Sequence, residues 1–340
     1  MEKSIREILE EREHKELSEY ASFSDETKGR ARKEELCDVR TEFQRDRDRI
    51  LHSKSFRRLK DKTQVFLTPN GDHYRTRLTH TLEVSQNART IAKALDLNED
   101  LAEAVAMGHD LGHTPFGHAG EAALSDMMGK PFRHNEQSLR VVDYLEKDGA
   151  GLNLTYEVLN GMACHTGDAL PTTFEGQVVR LSDRIAYINH EIDDACRAGI
   201  LQITDVPAHL REALGETHSA RINTMVNSLI RCSEGKDDIA MEPEIYEATM
   251  KLREFLYDSV YLNPAAKSQE VKARALLIRL FEHYVKNPDK LPTLYQSNIE
   301  KDGVERCVCD FLSGMTDRYA IETYNELYIP RVWRGPTQGG

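Results

Sequence analysis

The chain has 340 residues, of which 39% are hydrophobic and 30% charged, a composition typical of a globular protein with an extensive core. Its formal net charge of −12 argues against a general coating of nucleic acid. No apolar run reaches the roughly 18 residues that a membrane-spanning helix needs, and the charged residues 1–7 lack the apolar core of a secretion signal. We therefore expect a cytoplasmic protein without a membrane partner.

The six cysteines are scattered along the chain, and only Cys307 and Cys309 lie close together in sequence. No second pair completes the spacing of a zinc site. We interpret all six as reduced thiols, as expected in the cytosol.

The N-terminal part is rich in charge. Residues 1–20 form a helix-prone leader, and alternating charges at residues 40–50 predict a helix carrying ion pairs. Residues 28–62 contain 13 Lys and Arg against 7 Asp and Glu, a local excess of +6. This basic segment either meets phosphates at a site or forms a salt-bridged surface arm.

Helical periodicity dominates from residue 75 onward. After a turn signal at residues 69–72, a helix over residues 75–95 carries one apolar face and includes His80. The apolar face consists of Leu78, Leu82, Ala88, Ile91, Ala92 and Leu95. Asn98 is typical of an N-cap and starts a helix that leads to His109.

Later stretches repeat the pattern. We expect helices after Glu121 and over residues 135–145, 156–164 and 174–198, with more beyond Pro207. One of these has an apolar side made of Val271, Leu277, Ile278, Phe281 and Tyr284. The predicted class is all-α, with at most one small β-hairpin.

Residues 109–121 concentrate titratable groups in a short segment. The segment contains His109, Asp110, His113, His118 and Glu121, and Gly112, Pro115 and Gly117 between them break regular structure. Such a density indicates a chemical site rather than an ordinary surface loop.

Two imidazoles and two carboxylates on separate predicted helices suggest a metal site. His80, His109, Asp110 and Asp183 would suit a divalent transition metal or magnesium if three helices bring them together. Spacing alone does not establish this, because a single histidine on a helix is commonly structural.

One more pattern lies on the helix of residues 174–198. Asp183, Tyr187 and Glu191 follow each other at i, i+4 and i+8 and so share one stripe. The stripe either lines a pocket or is a solvated helix face.

The order of His80, then His109 with Asp110, then Asp183 resembles the HD superfamily of metal-dependent phosphohydrolases. The wider sequence, roughly residues 17–330, resembles its deoxyguanosine triphosphate triphosphohydrolase (dGTPase) family. The matching segments are residues 45–50, 56–59, 62–66, 77–84, 109–121, 180–187 and 314–319. The resemblance implies a helical HD fold with additional C-terminal helices.

The resemblance also implies a role for each site residue. The metal ligands would be His80, His109, Asp110 and Asp183. The catalytic residues would be His118, its acidic partner Glu121, and His113 against the phosphates. The substrate-binding residues would be Arg77 and Arg184 at the triphosphate, His134 near the phosphates, Gln64 and Glu191 at the 3′-hydroxyl, and Tyr187 against the sugar. The metal would be Mn²⁺ or Mg²⁺, with Fe²⁺, Co²⁺ and Ni²⁺ as alternatives.

The implied reaction hydrolyses a deoxynucleoside triphosphate (dNTP) to the deoxynucleoside and inorganic triphosphate. The implied organisation is an N-terminal arm and helix (1–60), an HD catalytic core (61–200), a C-terminal helical region packed on it (201–330) and a tail (331–340). The alternatives are a 5′-nucleotidase, a phosphodiesterase, or a regulator that senses dNTPs or binds nucleic acid. We further expect a homo-oligomer, with an allosteric dNTP and single-stranded nucleic acid as candidate partners.

Overall fold

The computed structural model describes residues 3–64, 74–261 and 264–330. In this part of the chain the regular structure is helical, which confirms the predicted all-α class. Strand pairing in these residues is limited to two isolated antiparallel bridges, between Arg30 and Thr155 and between Thr63 and Thr76, so they contain no hairpin. The turn predicted at residues 69–72 and the tail 331–340 lie outside the described residues.

The helices fall into an N-terminal and a C-terminal series. The first series is α1 (Ile5–Glu16), α2 (Glu42–Leu51), α3 (Lys54–Arg58), α4 (Arg77–Ala94), α5 (Glu99–Gly108), α6 (Gly117–Met128), α7 (His134–Arg140), α8 (Tyr156–Cys164) and α9 (Phe174–Arg197). The second is α10 (Ala208–Leu214), α11 (His218–Ser233), α12 (Pro243–Leu256), α13 (Pro264–Lys286), α14 (Thr293–Gln296), α15 (Ile299–Asp302), α16 (Val304–Ser313) and α17 (Asp317–Tyr328). None of the described helices is both long enough and apolar enough to cross a membrane.

Side-chain caps define where the site-bearing helices begin. Asn98 caps α5 as predicted, since its side chain accepts hydrogen bonds from the backbone N–H groups of Asp100 and Leu101. Thr76 caps α4 and Thr173 caps α9 in the same way. Each cap satisfies backbone donors that the first helical turn leaves unpaired.

Two clusters of buried apolar side chains form the core. The larger cluster joins α2, α4, α5, α8 and α9 and continues into α10–α12, with Ile91, Val105 and Ile185 fully buried. The smaller cluster joins α6 to α13, α16 and α17. The segment from α5 to α6 therefore passes from one cluster to the other, and its two ends are fixed by different parts of the fold.

Three sequence expectations need correction. Leu82 is 47% exposed and Val271 is 68% exposed, so neither lies on the buried face of its helix. The reason is that α4 buries the side that carries His80, Val84 and Ala88, which leaves Leu82 toward solvent. Helix α6 begins at Gly117 rather than after Glu121 and thus includes the catalytic candidates His118 and Glu121.

The basic segment at residues 28–62 is largely paired with acids. Its Arg45 lies 2.6 Å from Glu42, and its Arg47 lies 2.8 Å from Asp100 of α5. Arg30 bonds both Glu42 and the buried Asp46. These contacts favour the salt-bridged arm over a free phosphate-binding surface.

Candidate active site

The segment that follows α5 is pressed against α7. A Cβ atom on Gly112 would lie 2.2 Å from the backbone nitrogen of Ser138 and 2.4 Å from the carbonyl oxygen of His134. The Ser138 hydroxyl accepts from the Gly112 N–H at 2.8 Å and donates to the His109 carbonyl at 2.9 Å. Because only glycine permits this approach, Gly112 sets how His109 and Asp110 are presented.

The other end of the segment is held by α17. Phe116 has a left-handed backbone with φ of 63°, which is uncommon for a residue with a side chain. Its N–H donates to Asp317 Oδ1 at 3.0 Å, while Thr63 donates to Asp317 Oδ2 through its N–H at 3.1 Å and through its hydroxyl. One carboxylate therefore joins the start of α6 to the strand-like residues before α4.

A buried lysine adds a second anchor. Lys62 Nζ donates to the carbonyl oxygens of His113 and, at 2.9 Å, of Ser313 in α16. Burial, together with Arg58 and Arg77, holds the pKa of Lys62 well below its usual range. The lysine thus ties the backbone of His113 to that of α16.

Four of the predicted side chains converge. His80 Nε2 lies 3.1 Å from Asp183 Oδ1 and 3.9 Å from Asp110 Oδ2. His109 Nε2 lies 3.4 Å from Asp110 Oδ1 and 3.9 Å from Asp183 Oδ1. Helices α4 and α9 and the end of α5 therefore bring together the four residues that the sequence singles out as metal ligands.

The protonation of this cluster suits a cation. His109 Nδ1 donates to the Ala106 carbonyl at 2.6 Å, so its Nε2 presents a lone pair, and this buried atom has no hydrogen-bond partner among the described residues. Burial opposes ionisation of both carboxyls, yet nearby His109, His113 and Arg77 hold the pKa of Asp110 well below its usual range. His80 lowers the pKa of Asp183 in the same manner. Imidazole lone pairs beside carboxylates fit a divalent metal ion.

A second group of histidines borders the cluster. The rings of His113 and His134 stack with centroids 3.8 Å apart. Glu121 Oε1 lies 2.9 Å from His134 Nδ1 and 3.4 Å from His113 Nδ1, while His113 Nε2 lies 3.1 Å from Asp110 Oδ1. Burial lowers the pKa of His118 on the first turn of α6, and Glu121 opposes that shift. Glu121 thus organises the histidine group as a whole.

His165 belongs to this group, although the sequence analysis missed it. Its Nδ1 donates to the Met162 carbonyl at 2.8 Å, and its Nε2 lies 3.2 Å from His134 Nε2. Burial, with the neighbouring His109, lowers the pKa of His165 to about 3, so it is neutral. Its only sequence signal is a histidine just past the end of α8, before a Thr-Gly pair.

The cleft above these groups has a volume of about 280 Å³. Of the predicted substrate-binding residues, Gln64, Arg77, His134, Arg184 and Tyr187 line it. Glu191 does not line the cleft within the described residues and is only 1% exposed. The stripe on α9 is therefore not a solvated face: its first two members border the cleft and its third is buried.

Several cleft groups are available to a ligand. Arg77 donates to Asp110 Oδ2 at 2.8 Å, but its buried Nε has no hydrogen-bond partner in the described part of the chain, and neither has the buried Oε1 of Gln64. Arg180 and Arg253 also line the cleft; Arg180 is bound to backbone carbonyls, among them that of Gly167. The cationic wall of the cleft consists of Arg77, Arg180, Arg184 and Arg253. It faces the acidic cluster, which favours an anionic ligand that bridges the two.

Comparisons with known proteins show which family this chain resembles. The HD domain family model matches residues 77–188, and the phosphohydrolase-associated domain matches residues 239–326. A deoxyguanosinetriphosphate triphosphohydrolase-like protein from Caldanaerobacter subterraneus subsp. tengcongensis is 56% identical over 97% of each chain. A protein of the same name from Clostridium perfringens is 50% identical over 96% of this chain and 98% of the relative.

The fold has a counterpart among solved structures. The crystal structure of a phosphohydrolase from Bacteroides thetaiotaomicron matches 82% of this chain and 67% of that chain with a TM-score of 0.52. At 22% identity this likeness concerns the fold alone. The extent and identity of the sequence matches confirm the resemblance carried by the motifs, and the His/Asp cluster could hold a metal ion such as HD phosphohydrolases require. The chain therefore belongs to the deoxyguanosinetriphosphate triphosphohydrolase-like family of HD-domain phosphohydrolases.

Proposed function

We propose that this protein hydrolyses dNTPs to the deoxynucleoside and inorganic triphosphate. The observation that carries the proposal is that one cleft combines the His/Asp cluster with a cationic wall and with Tyr187 and Gln64. The names of the relatives point to the same substrate class.

The metal would be held by His80, His109, Asp110 and Asp183. The partnerless Nε2 of His109 and the two ionised carboxylates support this set. We expect Mn²⁺ or Mg²⁺, with Fe²⁺, Co²⁺ and Ni²⁺ as the other ions that such nitrogen and oxygen donors accept. When bound, the ion supplies Lewis-acid stabilisation of the α-phosphate and an acidified water.

The polyphosphate would lie against the cationic wall. The buried Nε of Arg77 needs an acceptor, and phosphate oxygens supply one. His134 Nδ1 lies 2.9 Å from Glu121 and its Nε2 lies 3.2 Å from His165, so both neighbours fix its ring at the edge of the cleft. Arg184 adds a second guanidinium, and His113 adds a neutral imidazole, because burial and Arg77 hold the pKa of His113 well below its usual range. Preorganised positive charge is the main source of transition-state stabilisation in such sites.

The deoxyribose would contact Gln64 and Tyr187. The buried Oε1 of Gln64 has no partner in the described part of the chain and so can accept from the 3′-hydroxyl. Tyr187 borders the cleft one helical turn after Asp183, where its ring would occupy the space of a 2′-hydroxyl. Glu191 is buried a further turn along α9 and is not among the described residues that line the cleft, so its contact with the 3′-hydroxyl stays a prediction.

In the reaction, water adds to the α-phosphorus, the bond from phosphorus to O5′ breaks, and O5′ leaves with a proton. His118 reaches the cleft from the first turn of α6 and would transfer that proton. Glu121, three residues later on the same helix, would orient the histidines around the phosphate.

The test is a product assay with all four dNTPs and GTP, with each metal in turn. The proposal predicts deoxynucleoside and triphosphate from at least one dNTP and little turnover of GTP. Asp183→Ala is the matched control and should abolish both activity and metal binding. Release of orthophosphate or of a nucleoside monophosphate would instead indicate a different HD phosphohydrolase.

Assembly and further ligands form part of the same proposal. We expect a homo-oligomer, which mass photometry with and without dNTP would reveal, and an allosteric dNTP would shift the oligomer distribution. Single-stranded DNA binding should be weak, because acids pair with much of the basic segment at residues 28–62. Filter binding over a salt series measures it.

A further inference from the structure

Behind His80, on the side away from the cleft, lie a second histidine and a glutamate. His80 Nδ1 is 3.2 Å from His190 Nδ1, and His190 Nε2 bonds the carboxylate of Glu83. His190 on α9 is 1% exposed, whereas the Glu83 side chain on α4 is 40% exposed. A chain of three titratable side chains therefore runs from the metal cluster to the protein surface.

The carboxylate at one end fixes the direction of every hydrogen bond in this chain. Glu83 only accepts when ionised, so neutral His190 carries its hydrogen on Nε2 and donates it to Glu83. His190 Nδ1 is then an acceptor. Neutral His80 must therefore carry its hydrogen on Nδ1 and donate it to His190, which leaves a lone pair on His80 Nε2.

That lone pair faces the oxygen of Asp183 at 3.1 Å. A lone pair opposite a carboxylate oxygen is repulsive unless a cation lies between the two. For neutral His80 the reverse arrangement, in which it donates from Nε2 to Asp183, would place a lone pair of His190 against Glu83. Glu83 thus disfavours the neutral tautomer of His80 that would satisfy the cluster without a cation.

We propose that His190 and Glu83 form a positioning relay that holds His80 in the orientation and tautomer required for metal binding. The relay rests on the proposed function, since it presumes the metal site at His80. Hydrogen bonds of this kind to a ligand histidine typically account for about 10–100-fold in metal affinity.

Arg75 holds the outer end of the relay in place. Its Nε lies 3.3 Å from Glu83 Oε1, and its two terminal nitrogens lie 3.3 Å from Asp193 and from Asp194 of α9. This arginine joins the region before α4 to the helix that carries His190. The partly exposed Glu83 is therefore fixed rather than free to turn into solvent.

The experiment measures the Kd of Mn²⁺ alone by titration calorimetry on the full chain after chelator treatment. His190→Leu should raise that Kd about 10–100-fold. His190→Asn should restore much of the affinity, because its side-chain oxygen can accept from His80 Nδ1. Glu83→Ala, at a partly exposed position, should weaken binding in the same direction and carries the test if His190→Leu does not fold.

Asn189→Ala is the matched control, since Asn189 is fully buried beside His190 on α9 but accepts a hydrogen bond from Arg221 instead. It should lower the thermal unfolding temperature without changing the Kd of Mn²⁺. The relay is overturned if His190→Leu and Glu83→Ala both bind Mn²⁺ as the unmodified chain does, or if Asn189→Ala loses as much affinity as they do. Absence of Mn²⁺ binding in the unmodified chain itself would overturn the proposed metal site as well.

Discussion

Asp317→Ala removes the carboxylate that joins α17 to the active-site segment. Asp317 is 3% exposed and accepts hydrogen bonds from the backbone of Phe116 and from the backbone and hydroxyl of Thr63. Phe116 has a left-handed conformation that costs energy, and such conformations persist only where neighbouring contacts hold them. The variant should therefore destabilise the fold and displace the start of α6.

The expected loss of stability follows from the hydrogen-bond donors that would lose the Asp317 carboxylate. The buried N–H group of Phe116 loses its acceptor, at about 1–3 kcal/mol, and the partly buried N–H group of Thr63 loses its acceptor at the low end of that range. Burial raises the pKa of Asp317, which shows that its carboxylate is itself costly to bury, so part of the loss is offset. We expect the free energy of unfolding to fall by about 2–4 kcal/mol. A displacement of about 1 Å in the segment that carries His118 should lower kcat by about 100-fold.

Urea unfolding and steady-state kinetics measure the two effects. Glu322→Ala on the same helix is the control, because Glu322 pairs with the exposed Arg318 at 2.7 Å, and it should change the unfolding free energy by no more than about 0.5 kcal/mol. If Asp317→Ala unfolds at the same urea concentration as the unmodified chain, the anchoring role is wrong. Loss of stability with full kcat would show that the anchor does not position the site.

Three more outcomes are expected. His118→Ala should keep metal binding and lower kcat by about 10²–10⁴-fold; unchanged kcat would exclude its catalytic role. Tyr187→Ala should raise GTP turnover relative to dGTP, and an unaltered ratio would count against its contact with the sugar. Hydrogen bonds from the backbone of Arg40 and Val39 lower the pKa of Cys37 to about 7, while burial raises that of Cys309 to about 12. Iodoacetamide at pH 7.5 should therefore alkylate Cys37 first, as peptide mass mapping would show, and faster labelling of Cys309 would contradict this.

Local signals in the sequence were enough to predict the helices that carry the site. The N-cap at Asn98 and the apolar face around Ile91 depend on nearby residues, and both are found in the structure. The side of α4 that holds Leu82 was predicted wrongly, because periodicity does not reveal how many neighbours a helix has. Contacts between residues far apart in sequence decide which helices pack together.

The same limit applies to the site. The motif order placed His80, His109, Asp110 and Asp183 in one set, and the structure brings them together. His190 was missed because its partner Glu83 lies more than 100 residues away in sequence, on another helix.

The contacts of Glu121 could not be predicted from the sequence either. The resemblance paired Glu121 with His118, whereas the contacts of Glu121 with His113 and His134 depend on the close approach at Gly112. That approach is a property of the packed helices, and a glycine in the sequence does not reveal what it meets.

The central claim is that water attacks the α-phosphorus of a dNTP. Hydrolysis of dGTP with Mn²⁺ in water enriched in oxygen-18, followed by mass spectrometry of the products, tests it directly. The account predicts unlabelled deoxyguanosine and inorganic triphosphate that carries one labelled oxygen. Label in the deoxyguanosine, or release of orthophosphate or pyrophosphate in place of triphosphate, would contradict it.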